Sequence, residues 1–299
     1  MKKKFFWAAF VLLAATGCSN ESVNMVNNAQ MEETTAPVRV HVSNFAVEMG
    51  GFPVATRATQ DVGDYNNVKA ITLAFYKGET EVYKYEQVKD ALEQGETFGE
   101  FSTTLPLGSY TMVVIARGHK DGDVFTLTSP TVAAYTGPSR ETFAYTQAVN
   151  ITNGDAVELS ATLNRIIAVL AVNSTDGRTA YATNVRMTFS AGGKNFNPTT
   201  GLATVNTGFA ITAPISANVG SVTNSGTYVF LATDEQTMDV TIETLDGEGN
   251  TIFSKTIQDV PFKRNRRTVL TGAMYTNDAV SASSFKLETG WLTDYNDNF

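Results

Sequence analysis

Few side chains in this sequence are equipped for chemistry. There are two histidines, His41 and His119, and one cysteine, Cys18. A structural zinc site draws on four Cys or His ligands, so these three scattered residues leave it almost without ligands. There is no G-x-S-x-G elbow and no H-E-x-x-H pair. A triad would need the fold to pair His41 or His119. His41 alternates with Val40 and Val42, which puts it on the solvent side of a strand. His119 sits in His119-Lys120-Asp121-Gly122-Asp123, a turn composition. Two carboxylates that met in space could hydrolyse a glycosidic bond, but Asp121, Asp123, Asp246 and Glu248 fall in turns, where solvated loop charge explains them. Asp294, Asn296, Asp297 and Asn298 offer oxygens to calcium without the spacing of a known loop. Lys263-Arg264-Asn265-Arg266-Arg267 is a basic cluster that could attract an acidic partner or headgroup, and it fits a solvated turn entering a strand as well. The expectation is a protein that is not an enzyme, with no cofactor and no metal.

The chemistry left to Cys18 is set by what precedes it. Met1-Lys2-Lys3-Lys4 is followed by an apolar run from Phe5 to Ala15, then Thr16-Gly17-Cys18. Lysines stay on the cytoplasmic side, where anionic headgroups attract them. The run is well short of the roughly 20 residues a spanning helix needs, so residues 1–17 read as a signal segment. Leu13-Ala14-Ala15-Thr16-Gly17-Cys18 resembles a bacterial lipobox. That resemblance implies lipidation at Cys18 and cleavage before it, and several acyl chains anchor firmly at about 0.8 kcal/mol per buried methylene. As the only cysteine, Cys18 has no partner for an internal disulfide. Residues 18–36 read as a polar tether. Loss of the three lysines takes the net charge from −8 to −11. That balance argues against nucleic acid, which needs a basic footprint.

The elements that would position these residues are strands. Val38, Val40 and Val42 alternate with Arg39, His41 and Ser43. Val68 to Tyr76 is β-branched and aromatic, with Ile71, Leu73 and Phe75 on one face, and Tyr110 to Ala116 reads as a central strand. Gln87 to Gln94 has helical spacing for about two turns, with Gly95 as a stop. No segment has the 10–15-residue helical period of a βαβ fold. Val157 to Leu163 alternates, and Ile166 to Val172 is continuously apolar, with Arg165 between them as a candidate bend. Further on, Val185, Met187 and Phe189 alternate, and Met238 to Thr244 leads through Asp246-Gly247-Glu248-Gly249-Asn250 into Thr251 to Thr256. This is the sharpest hairpin signal in the chain. Phe285 to Leu292 reads as a last strand, with Trp291 as a core anchor. The fold class expected is all-β: two tandem antiparallel β-sandwich domains, at 37–160 and 161–299.

In their order and spacing, several of these pieces resemble the fimbrillin superfamily of Bacteroidales. They are the lipobox, Val38 to Val42, Thr56-Arg57-Ala58, Val68 to Gly78, Lys263 to Gly272 and the final segment with Trp291. The resemblance implies transthyretin-like sandwiches and a structural job at the outer membrane. A lipoprotein precursor would be cut by an arginine-specific protease after its first strand, and a neighbouring subunit's strand would fill the groove. Carried to this chain, Arg57-Ala58 is the candidate cleavage bond, Val38, Val40 and Val42 form the candidate face of the removable strand, and Phe285, Leu287 and Trp291 mark a candidate C-terminal donor. The partners implied are other fimbrial subunits and the outer membrane through lipid. The alternative is a non-polymerising surface lipoprotein, acting as fimbrial anchor or tip adhesin or holding host protein or glycan. Tyr135, Tyr145 and Tyr181 are the candidate exposed aromatics for that role.

Overall fold

A computed structural model describes residues 34–49, 56–276 and 286–291. The described residues form twenty strands and one 3-10 turn. In the first half they are β1 (Thr35–Met49), β2 (Thr56–Asp61), β3 (Ala70–Lys77), β4 (Thr80–Val88), β5 (Glu100–Pro106), β6 (Gly108–Arg117), β7 (Val124–Ser129), β8 (Val132–Thr136), β9 (Thr142–Ile151) and β10 (Val157–Arg165). The second half holds β11 (Ala168–Ser174), β12 (Asn184–Phe189), β13 (Asn195–Asn197), β14 (Leu202–Ala203), β15 (Phe209–Pro214), β16 (Asn224–Val229), β17 (Glu235–Leu245), β18 (Thr251–Lys263), β19 (Arg266–Gly272) and β20 (Lys286–Trp291). The architecture is all-β, multi-sheet and mostly antiparallel, built as β-sandwich layers.

The first half is one eight-stranded sheet, in the order β2-β1-β10-β9-β6-β3-β4, with β5 also on β1. β9 and β10 pair only at Asn164↔Ala144 and Arg165↔Phe143. Beyond that corner the sheet opens into two arms, and both arms cover one core. Val38, Val40 and Val42 come from one arm, and Ile71, Leu73, Met112 and Val114 from the other. In the second half, sheets β16-β11-β19-β20 and β15-β12-β17-β18 enclose a second core around Leu170, Met187, Val240 and Leu270. Two of the described pairings are parallel, β1 with β10 and β11 with β19.

A third apolar cluster joins the halves. Ala74 and Tyr76 of β3 and Val113 and Ile115 of β6 turn away from the first core and meet Ile167, Phe196 and Phe230. Phe196 and Phe230 stack with centroids 4.2 Å apart, and Phe125 and Tyr135 flank them at 6.3 and 6.2 Å. β3 and β6 are therefore covered on both faces, which is why their sequences are continuously apolar rather than alternating. A small sheet, β14-β13-β8-β7, lies over this contact and draws two strands from each half.

The helical pattern at Gln87–Gln94 does not become a helix. Gln87 and Val88 finish β4, and only Lys89–Ala91 make a 3-10 turn. Two turns are too few for a helix to persist in water without packing, and Gln87 has a better use. Its buried amide donates to the carbonyls of Thr97 and Glu100 and accepts from the N–H of Gly99. At the other end of the chain, Asp246 builds the sharp hairpin between β17 and β18, taking the N–H groups of Glu248 and Asn250 on one carboxylate oxygen.

Candidate assembly site

β1 is held along both edges. Thr35 to His41 pairs antiparallel with β5, and the other edge runs parallel with β10, from Val38↔Val157 to Ala46↔Asn164. A bulge between Val42 and Asn44 re-aims the strand, and β2 takes over from β5 at Asn44↔Asp61. Val38, Val40 and Val42 are 0–1% exposed. Phe45 follows them in, with its ring 4.7 Å from Phe143 and 5.4 Å from Tyr65. Each such side chain stabilises the fold by about 1.5–3 kcal/mol. The opposite face is wet: Arg39 pairs with Glu158 at 3.3 Å, and His41 pairs with Glu100, all four exposed. Such pairs contribute little.

The other residues singled out for assembly lie apart. Arg57 and Ala58 sit in β2 opposite Glu48 and Val47. The candidate cleavage bond is therefore in a hydrogen-bonded strand, not in a loop. Leu287 and Trp291 sit in β20 opposite Leu270 and Arg266, so the C-terminal segment pairs with its own chain on a different sheet. Cys18, Phe285 and the acidic tail from Asp294 lie outside the described residues. Among the aromatics, Tyr181 is 78% exposed and Tyr145 half-buried. Tyr135 is not a surface residue. It is 3% exposed in β8, stacked on Phe230, with its hydroxyl 2.8 Å from that of Thr142.

Sequence reasoning missed a set of buried charges next to this site. Arg165, at the end of β10, and Glu141 are both almost wholly buried and 2.7 Å apart. The Arg165 Nε–H points off the line of a good hydrogen bond, so that contact is chiefly electrostatic. Other bonds complete the network. Tyr65 donates to Glu141 Oε1 at 2.6 Å, and Arg165 donates to Tyr65 Oη at 2.8 Å and to Asn265 Oδ1 at 2.9 Å. The Arg165 guanidinium also lies over the Phe143 ring at 5.0 Å. Burial presses the Arg165 pKa down, but Glu141 and Tyr65 outweigh it and hold it above the ordinary arginine value. Burial, then the Glu141 charge, push the Tyr65 hydroxyl well above its usual range. Arg140 forks onto Asp123 at 2.6 and 2.8 Å, and Arg117 forks onto Glu86 at 3.0 and 3.1 Å. A sequence signal did exist: Arg117 and Arg165 each adjoin an apolar run with no turn residue between. Their carboxylate partners lie 24 or more residues away and carry no local mark.

A family model matches residues 33–295, a span that contains every described strand. The chain belongs to DUF6562, a family of unknown function. A comparison of this DUF6562 chain with curated proteins finds no match. Among solved structures it is similar to a candidate adhesin from Bacteroides ovatus, with TM-score 0.50 and 11% identity over 88% of this chain and 96% of the other. It is also similar to the fimbrial anchor protein Mfa2 from Porphyromonas gingivalis, with TM-score 0.48 and 11% identity over 87% and 100% of the two chains. The tip fimbrial protein Mfa3 from Porphyromonas gingivalis, C-terminally truncated, matches with TM-score 0.40 and 10% identity over 86% and 98%. At these identities the likeness is one of fold. By their descriptions these neighbours are fimbrial and adhesin proteins. Among the described residues of the DUF6562 chain, no group of three or more His, Cys, Asp or Glu is gathered to hold a metal ion.

Proposed function

We propose that this protein is an exported, lipid-tethered surface protein of the fimbrial and adhesin type, working as a non-polymerising anchor or tip adhesin. It carries two transthyretin-like sandwiches in series, meeting near residue 160, and its role is binding rather than catalysis. One observation carries the reading: among the described residues, the first and last strands are both paired within the chain. β1 is paired on both edges, and β20 is paired on β19. A sheet whose strands are all supplied by one chain offers a neighbour no vacant groove, and a C-terminal strand already docked is not offered as a donor. Its partners would be other fimbrial subunits, the outer membrane through Cys18, and host protein or glycan. Sequencing the amino terminus of the protein on intact cells tests this. A start at acylated Cys18 is expected, and a start at Ala58 would overturn it.

A second reading, a fibre subunit assembled by strand exchange, draws on a different property of β1. Its removal would open a single groove between β5 and β10, with unpaired backbone on both rims and the first core as an apolar floor. Cleavage after Arg57 would remove all of β1. The purified precursor treated with an arginine-specific protease separates the two readings. High-mass polymers favour the subunit, while a trimmed monomer or an uncut chain favours the anchor or adhesin.

A further inference from the structure

Beside the Ala46 end of β1, the two halves of the chain face each other across a cleft of about 730 Å³. The corner of β9 and β10 forms one side, and the loop 198–201 and the turn between β18 and β19 form the other. The volume lies within the roughly 300–1,000 Å³ of small-molecule sites. The basic cluster of the sequence ends here, so an anion site would be the simple expectation.

The charges say otherwise. Each cation that lines the cleft already has a carboxylate. Arg165 has Glu141 at 2.7 Å, Arg264 has Asp234 at 2.6 Å, and Lys263 has Glu235. No positive charge is left over to attract an anion. What the pairs still present is hydrogen-bonding capacity. A carboxylate keeps lone pairs beyond those an arginine takes, and a guanidinium has five N–H groups to share. Asn164 adds an exposed carboxamide to the same wall, and the half-buried Tyr145 adds aromatic surface.

The walls are also built to stay where they are. Asn265 takes φ 61, a left-handed conformation that asparagine tolerates. Its N–H is bound to the Ile167 carbonyl and its side-chain oxygen to Arg165. Arg264 donates to the Thr200 carbonyl at 2.7 Å, which ties the turn to the loop beside it. Gly201 has φ +72, and a Cβ there would come within 2.7 Å of Ile166 Cγ2 and 2.9 Å of Arg264 Nη1. Only glycine lets the loop approach this closely. Fixed, mutually neutralised donors and acceptors beside an aromatic side chain suit a ligand rich in hydroxyls, without charge, that has C–H faces of its own.

We propose that this cleft binds a neutral oligosaccharide, a short stretch of an uncharged polysaccharide. The inference rests on the surface-adhesin reading and names its ligand class. The test uses the purified full chain, titrated calorimetrically with maltohexaose, cellohexaose, xylohexaose and a mannan hexasaccharide, and with a heparin hexasaccharide as the anionic arm. At least one neutral glycan should bind with an affinity that hardly changes between low and high salt. Asn164→Ala, an exposed change, should weaken it about three- to tenfold, as expected for one lost hydrogen bond to an uncharged hydroxyl. Asp234→Asn frees Arg264 and should weaken the neutral glycan while bringing in heparin binding that salt abolishes. Circular dichroism should show both variants folded. No neutral binding at millimolar concentration, heparin as the preferred ligand of the unaltered protein, or full affinity in Asn164→Ala would each overturn the proposal. Display on cells is scored separately by amino-terminal sequencing, so a failed surface reading and a failed glycan site give different results.

Discussion

The core beneath β1 and the junction between the halves differ in how they are closed. The first is closed mainly by side chains at strand period, with Val38, Val40 and Val42 opposite Ile71, Leu73 and Val114 and with rings such as Phe45 and Phe143 at its end. The second is centred on stacked rings, and beside it the arginines Arg117, Arg140 and Arg165 are each buried and each answered by a carboxylate. The first core gains free energy from area removed from water and is indifferent to which valine meets which leucine. The junction gains less from its ion pairs, because desolvation offsets much of the attraction, but it is unforgiving of a missing partner. One region supplies stability and the other fixes how the halves meet.

That contrast can be broken at its strongest point first. Val40→Asp puts an unpaired charge under both arms of the sheet, and a loss on the order of 4 kcal/mol or more is expected, seen as insoluble protein or a collapsed urea midpoint. Glu141→Ala strands Arg165 and should cost about 3–5 kcal/mol. Adding Arg165→Met should return a good part of that, and a double-mutant cycle by urea denaturation reads the coupling. If the double variant is no better than Glu141→Ala, the network is not an interdependent pair.

A pH series sharpens the comparison further. Burial alone would raise the Asp123 pKa, but the hydrogen bonds from Arg140 and the Lys120 N–H together with the Arg140 charge outweigh burial and leave it lowered. A carboxylate whose folded pKa is depressed stabilises the fold above its unfolded value of about 3.9 and loses that contribution as pH falls through the folded value. Melting temperatures from pH 5 down to pH 2 should therefore converge for the unaltered protein and Asp123→Asn. The smallest effect belongs to the wet face of β1. Arg39→Ala should change stability by no more than about 0.5 kcal/mol, because its pair with Glu158 is solvated on both sides.

The same contrast decides what the sequence made legible. β1 was readable because Val38, Val40 and Val42 repeat with the pleat. β6 was readable because its apolar run from Met112 to Ala116 has to be covered on two faces. The β17–β18 hairpin was readable because Asp246, Gly247, Gly249 and Asn250 are turn residues for local reasons. The junction was not. Glu141, Tyr65, Arg165 and Asn265 meet through the fold, and β8 pairs with β13 across about sixty residues. Gln87 kept a helical spacing while serving as a buried amide bridge, and Tyr135 sits in a segment with loop composition yet lies in the aromatic stack. The Arg57-Ala58 bond was marked only by the family resemblance, and its place inside β2 depends on pairing with β1, which no local pattern announces.

The parallel pairing of β1 with β10 has a mechanical consequence. β10 ends at Arg165 and runs almost at once into β11 of the second half. A pull on residue 34 against a grip on that second half would drag β1 backwards and β10 forwards. The hydrogen bonds from Val38 to Ala46 would then share the load in shear instead of unzipping one at a time. A protein held to a cell at one end and to a surface at the other would meet flow with its strongest geometry.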